Sequence, residues 1–216
     1  VIGPNGAGKT TLFNLLSGLV TPTAGRVHMG ATDITALPVF ARARAGLGRT
    51  FQTSSVFPAL SALENVRLAA RADAGGSLRL WGRSTGHSAV LARAQKSLDS
   101  VGLSARAGHA AGSLSHGDKR KLEIAIVLAG TPRLLLLDEP MAGLGVEDVP
   151  ELVALVGRLN SEQGITVLMV EHHIEVIVGL ADRIAVMHHG RLISCAPPEQ
   201  VMADATVQSA YLGEAL

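Results

Sequence analysis

Eleven residues at the start of this sequence, VIGPNGAGKTT, carry its densest chemistry. Gly3-Pro4-Asn5-Gly6-Ala7-Gly8-Lys9-Thr10 satisfies the phosphate-loop pattern GxxxxGK followed by Ser or Thr at every fixed position. Each residue type answers a physical need. Glycines let the backbone turn tightly and bring its N–H groups within hydrogen-bonding distance of phosphate oxygens. Lys9 adds a point charge for the β/γ-phosphates, and the Thr10 hydroxyl is a hard oxygen donor suited to Mg²⁺. The helix that Lys9 opens, expected over Thr11–Leu19, turns the positive end of its dipole on the same anion. A chance match in a chain of this length is expected about once in a hundred at average residue usage. The stretch reads as a nucleotide site.

Two further clusters bear on it. Leu134-Leu135-Leu136-Leu137-Asp138-Glu139-Pro140 is a short apolar run ending in two carboxylates. As a strand it delivers negative charge to the sheet edge, where Asp138 suits a phosphate-bound Mg²⁺, through water. Glu139, one residue on, is placed to orient and activate an attacking water. Leu114-Ser115-His116-Gly117-Asp118 precedes the basic Lys119-Arg120-Lys121. Ser115 can cap the helix that follows, and a helix N-terminus accepts phosphate; a plain cap accounts for the same residues.

These residues need a frame, and the composition bounds it. The 216 residues suffice for one domain, or one domain plus a small lobe. A net charge of +1 gives no reason to expect nucleic acid as partner. The 47% apolar content fits either a parallel sheet buried on both faces or an apolar surface docked on a partner. No run of 18 apolar residues suggests a membrane span. The single cysteine, Cys195, permits no internal disulfide and fits a reducing compartment. The chain lacks an initiator Met and begins two residues before the loop, so the first strands are expected to be truncated.

Hydrophobic periodicity supplies the elements. Strands are expected at Arg26–Met29, Leu47–Phe51, Leu134–Leu137, Thr166–Val170, Ile184–Met187 and Arg191–Ser194. Helices are expected over Lys119–Ala129, Glu147–Asn160 and Ile174–Leu180, with a final short one opened by Pro197-Pro198. Residues 53–112 read as a helical lobe containing a Gly/Ser-rich, flexible insert from Asp73 to Ser88 with the only Trp, Trp81. Strand–helix alternation implies an α/β fold with a mostly parallel sheet and its ligand at the carboxyl ends of the strands. The basic residues Arg42, Arg44 and Arg49 read as solvated helix faces. Neighbouring strand residues face opposite ways, and no Cys or acid cluster completes a metal site around the His172-His173 and His188-His189 pairs.

Through these motifs the sequence resembles the ATP-binding subunits of ABC transporters over essentially its whole length. GPNGAGKTT is similar to the family's Walker A, LLLLDEP to its Walker B, and LSHGD to its LSGGQ signature. Gln52, in RTFQ, matches the Q-loop glutamine, and His172, in VEH, the switch histidine. The resemblance implies a P-loop NTPase with a helical lobe: a nucleotide-binding core at 1–52 and 113–216, and the lobe at 53–112. It implies ATP and Mg²⁺ as ligands, with Gly3 through Thr11 on the phosphates and Thr10, Gln52 and Asp138 on the metal. Glu139 would be the general base, assisted by His172 and Gln52. Ser115 and Gly117 would close on the ATP held by a second subunit, in a head-to-tail homo- or heterodimer. That dimer would sit beneath transmembrane permease subunits, peripheral to the cytoplasmic face of the inner membrane.

RTFQ, LEIA at Leu122–Ala125, EHH at Glu171–His173 and YLGE at Tyr211–Glu214 resemble subunits of branched-chain or hydrophobic amino-acid uptake systems. ATPases of urea import and of lipopolysaccharide export share several of these features. A soluble, non-transport ABC ATPase or a binding-only module are the readings outside transport. Three departures from the family stand out. His116 interrupts the glycine pair of the signature, Asp118 replaces its Gln, and Gly145 ends the loop after Walker B where Asp or Asn is usual. Asp118 is expected to set a carboxylate near the nucleotide, with Lys119 and Arg120 beside it. The aromatic that stacks on adenine in this family lies upstream of the Walker A.

Overall fold

The computed structural model describes residues 1–51, 56–73 and 85–212. The chain forms two compact units: Val1–Arg42 with Leu136–Pro140 and Leu168–Leu216, and Ala43–Leu135 with Met141–Val167.

In the first unit the phosphate loop runs into α1 (Lys9–Ser17), two residues earlier than periodicity suggests. The helix stops at Gly18, whose left-handed backbone (φ 83°) lets its N–H turn back to Leu15 O. Leu19 therefore falls outside the helix and is half exposed, and Phe13 is the residue that α1 buries completely. A two-residue hairpin follows, β1 (His28–Met29) with β2 (Thr32–Asp33), and then α2 (Val39–Arg44). The unit closes with α7 (Ile174–Leu180), β6 (Ile184–His188), β7 (Arg191–Ala196), α8 (Pro198–Ala203) and α9 (Ala205–Leu212). Strands β6 and β7 pair antiparallel, and Ile2 bridges Val186 in parallel. Ile2, Ile177, Ile184, Val186, Val201 and Val207 make the core here. The final helix expected after Pro197 is in fact two, because Asp204 accepts the Thr206 N–H through Oδ1 (2.8 Å) and starts a second.

Arg42 corrects the reading of a solvated basic face. It is only 1% exposed. Its Nη1 donates to Leu15 O (2.6 Å) and Leu16 O (2.7 Å), its Nη2 to Thr35 O (2.8 Å) and its Nε to Leu37 O (2.9 Å). The first two are carbonyls of the last turn of α1, at the negative end of its dipole, and Leu15 O also takes the Gly18 N–H (3.3 Å). The guanidinium fork thus locks the phosphate-loop helix to the segment after β2. Replacing Arg42 by Leu takes a charged donor from four carbonyls, of which Leu15 O keeps the Gly18 N–H, and we expect a loss of about 3 kcal/mol in unfolding free energy. The midpoint of a urea titration checks it; a shift within error of zero would show that water replaces the guanidinium at no cost.

In the second unit β3 (Leu47–Arg49), α3 (Ala62–Asp73), α4 (Thr85–Ser100) and α5 (His116–Leu128) follow one another, with α3, α4 and α5 packed together. Val66, Ala70, Ala94, Leu98, Leu122 and Ala125 are buried. The loop into α3 is tied by Asn65, whose Oδ1 accepts the Phe57 N–H (2.8 Å) while its Nδ2 donates to Phe57 O (3.1 Å) and Ser61 O (2.9 Å). Of the insert expected from Asp73 to Ser88, Asp73 ends α3 and 85–88 open α4, while 74–84, with Trp81, lie outside the described residues. Next come β4 (Leu134–Asp138), α6 (Val149–Ser161) and β5 (Thr166–Val170). The parallel sheet has the order β3-β4-β5. Leu135, Leu136 and Leu137 are completely buried, as a strand covered on both faces requires.

Candidate functional site

The loop that begins the chain is held in its turn by backbone geometry. Gly3, Gly6 and Gly8 all have positive φ (150°, 79° and 97°). Gly3 also needs its missing Cβ, since one would stand 2.2 Å from Met187 O. That carbonyl belongs to β6, and β6 with the turn after it also receives the loop: the Met187 N–H donates to Ile2 O, and the Gly190 N–H to Ala7 O, both at 2.9 Å. The β6–β7 turn therefore braces the phosphate loop from outside, a contact between residues about 185 positions apart that no local pattern announces.

Lys9 is buried, and its Nζ donates to Gly3 O (2.6 Å) and Pro4 O (2.9 Å). Burial lowers its pKa below the ordinary lysine value, and the carboxylates of Glu139 and Asp138 pull the other way. The ammonium thus lies within the field of both acids that end β4. Asn5, Gly6, Thr10 and Thr11 are exposed, on the loop and the first turn of α1.

At the end of β4, Asp138 is buried and Glu139 is half-buried. Glu139 has a left-handed backbone (φ 47°), uncommon for a residue with a side chain, and its N–H donates to Val170 O (2.9 Å). His172 Nε2 stands 2.9 Å from Glu139 Oε1. A carboxylate only accepts, so this nitrogen carries the proton. The structure thus brings together, in one unit, the phosphate loop, Lys9, both Walker B acids and His172. The His172-His173 pair lies in the turn after β5 rather than on a strand, and His173 is the N-cap position of α7.

The signature residues belong to the second unit. Ser115 caps α5 as expected, its Oγ accepting the Asp118 N–H (3.1 Å), so the helix starts at His116 rather than Lys119. Gly117 is buried beneath the Asp148 carboxylate, whose atoms lie 2.8 to 3.0 Å from where a Cβ would be. Asp118 is neutralised by partners other than its neighbours Lys119 and Arg120. It pairs with Arg106 Nε (3.2 Å) and Lys121 Nζ (3.6 Å), and Lys121 continues to Glu151 (2.6 Å). Arg120 turns instead to Glu123 (2.9 Å). Gly145 lies against the Glu147 carboxylate, 2.8 Å from its missing Cβ. Gln52 lies outside the described residues.

Sequence reading missed Arg106 and Asp148, which meet the signature turn only through folding. It also gave no role to Glu171, whose signal was its place beside His172. As a donor set for a metal, Thr10 and Asp138 are both hard oxygens, and the Asp138 charge acts on Lys9 of the same loop; they fit Mg²⁺.

A phosphate loop on a helix N-terminus, beside a strand ending in two acids, defines a P-loop nucleotide-binding protein. Comparison with known proteins sharpens this. Residues 1–142 match the model of the family described as ABC transporter, and residues 191–216 match that of the branched-chain amino acid ATP-binding cassette transporter. The chain is 37% identical over 220 residues to BraF of Pseudomonas aeruginosa, a high-affinity branched-chain amino acid transport ATP-binding protein, covering 100% of this chain and 86% of the relative. It is 36% identical to the lipopolysaccharide export system ATP-binding protein LptB of Acidithiobacillus ferridurans, over 99% of this chain and 84% of that one. Among solved structures, the ADP conformation of an ATP-binding cassette of an ABC transporter superposes with TM-score 0.83 at 29% identity, covering 98% of this chain and 86% of that one. A dimeric, post-hydrolysis cassette bound to ADP and Pi gives TM-score 0.74 at 29% identity, covering 91% and 83%.

The chain belongs to the ABC transporter family. It is an ATP-binding, ATP-hydrolysing subunit of that family. Among the described residues no helix is long and apolar enough to cross a membrane.

Proposed function

We propose that this subunit powers the import of branched-chain amino acids, working as a head-to-tail pair of ATPases on the cytoplasmic face of the membrane, beneath permease subunits. The observation that carries this reading is the match of residues 191–216 to the branched-chain transporter model, together with the 37% identity over the whole chain to BraF. Lipopolysaccharide export is the second reading, favoured by the likeness to LptB.

In this reading the loop amides and Lys9 hold the β/γ-phosphates of ATP. Thr10 and Asp138 hold Mg²⁺, joined by Gln52 on the family resemblance. Bound there, the metal neutralises charge on the phosphate oxygens. Glu139 accepts the proton of the attacking water, and the Nε2–H of His172 keeps its carboxylate oriented and then contacts the γ-phosphate. Ser115 and Gly117, at the start of α5, complete the triphosphate held by the partner's loop, so that hydrolysis releases the pair. The Asp118 carboxylate does not oppose this, because Arg106 and Lys121 neutralise it.

Uptake of radiolabelled leucine by cells lacking this subunit tests the substrate class. Leucine uptake is expected to be lost and to return with the gene. Unchanged leucine uptake alongside a defect in lipopolysaccharide export would move the assignment to the second reading.

A further inference from the structure

Beneath His172 lies a carboxylate that the mechanism above does not use. Glu171 is 2% exposed. A single oxygen, Oε2, accepts the His172 N–H (2.8 Å), the His173 N–H (3.3 Å) and the protonated Nδ1 of His173 (2.9 Å). Burying a carboxylate is costly unless donors converge on it, and here three do.

Their convergence has a geometric consequence. Two successive N–H groups aimed at one oxygen fix the backbone of residues 172 and 173, and with it the direction in which the His172 side chain leaves the chain. That side chain is 45% exposed, so surrounding packing alone does not hold its ring. The ring nonetheless meets Glu139 Oε1 at 2.9 Å. Glu139 is itself anchored next door, through its N–H on Val170 O. Residues 170 and 171 thus form one strut: the carbonyl of Val170 sets the general base, and the carboxylate of Glu171 sets the histidine facing it.

We infer that Glu171 is a positioning residue for ATP hydrolysis, clamping the turn so that His172 Nε2 stays on Glu139, with His173 as the outer half of the clamp. This rests on the reading of Glu139 and His172 as the hydrolytic pair. Displacing a catalytic group by about 1 Å can cost about a hundredfold in rate, and the loss falls on kcat because the phosphate loop is untouched.

The test is a double-mutant cycle on the full chain with MgATP, measuring kcat and KM. Glu171→Ala is expected to lower kcat about 10- to 100-fold with KM changed less than about twofold. Glu171→Gln keeps an oxygen for the two backbone donors and is expected to recover most of the rate. The double variant Glu171→Ala/His172→Ala is expected to be no slower than His172→Ala alone. A purely structural role predicts the opposite, losses that multiply, and that result would overturn the inference, as would full activity of Glu171→Ala. Should Glu171→Ala fail to fold, His173→Ala removes one exposed donor instead. Its loss of about two- to fivefold in kcat is expected to vanish in the His172→Ala background, and persistence there would count against the clamp. Wild-type turnover by His172→Ala itself would instead remove the hydrolytic pair, and the clamp with it. A slow His172→Ala beside a fully active Glu171→Ala would remove the clamp only.

Discussion

Glu139→Gln is expected to bind MgATP as the wild type does and to hydrolyse it about a thousandfold more slowly, within the usual range for loss of a general base. The substitution preserves shape and keeps an oxygen for the His172 Nε2–H, but the amide cannot take a proton from water. The setting of the residue makes the effect sharp. Its backbone is in a left-handed conformation and its N–H is tied to Val170 O, which fixes the direction in which the side chain leaves the chain, and His172 Nε2 meets the carboxylate at 2.9 Å. ATP-promoted dimerisation is expected to survive, and even to strengthen, since the bound triphosphate is no longer consumed. Single-turnover hydrolysis and size-exclusion chromatography with MgATP check the two halves. Hydrolysis at the wild-type rate would remove Glu139 from the role of base.

Lys9→Ala is the second large effect, and it falls on binding. The ammonium lies where burial disfavours its charge and two carboxylates favour it, so the fold already bears the cost of holding a cation there. A phosphate-binding charge of this kind contributes on the order of 3 kcal/mol, so ATP affinity is expected to fall about a hundredfold. Binding of a fluorescent ATP analogue, read by anisotropy, measures it. The two variants separate the steps: the lysine change weakens binding, and the glutamate change spares binding and stops turnover. Unchanged affinity in Lys9→Ala would mean that the loop does not grip the triphosphate.

Much of this molecule is readable from short stretches of its sequence because its chemistry is local. A phosphate loop is a backbone conformation, and glycines at Gly3, Gly6 and Gly8 with a lysine and a threonine after them specify it within eight residues. The run Leu134–Leu137 identifies a strand buried on both faces, because only such a strand needs four successive apolar side chains, and the acids follow it directly. Strand β5 and helix α7 are found at the residues their patterns indicate. The C-cap of α1 was less legible: Gly18 stops the helix before Leu19, although Leu19 continues the apolar stripe.

What the sequence by itself determined is therefore the class of site and the elements that present it, since those rest on neighbours along the chain. The tertiary structure alone decided which charges are neutralised and by what. Arg42 looks like any surface arginine in sequence, yet it is buried on four carbonyls contributed by residues as far back as Leu15. Asp118 has Lys119 and Arg120 beside it, but Arg120 pairs with Glu123, and Arg106 and Lys121 answer the Asp118 charge. Glu171 takes its meaning from a single oxygen on which three donors converge. Adjacency in the chain sets conformation, whereas pairing of charge depends on distance in space, and distance is what folding supplies.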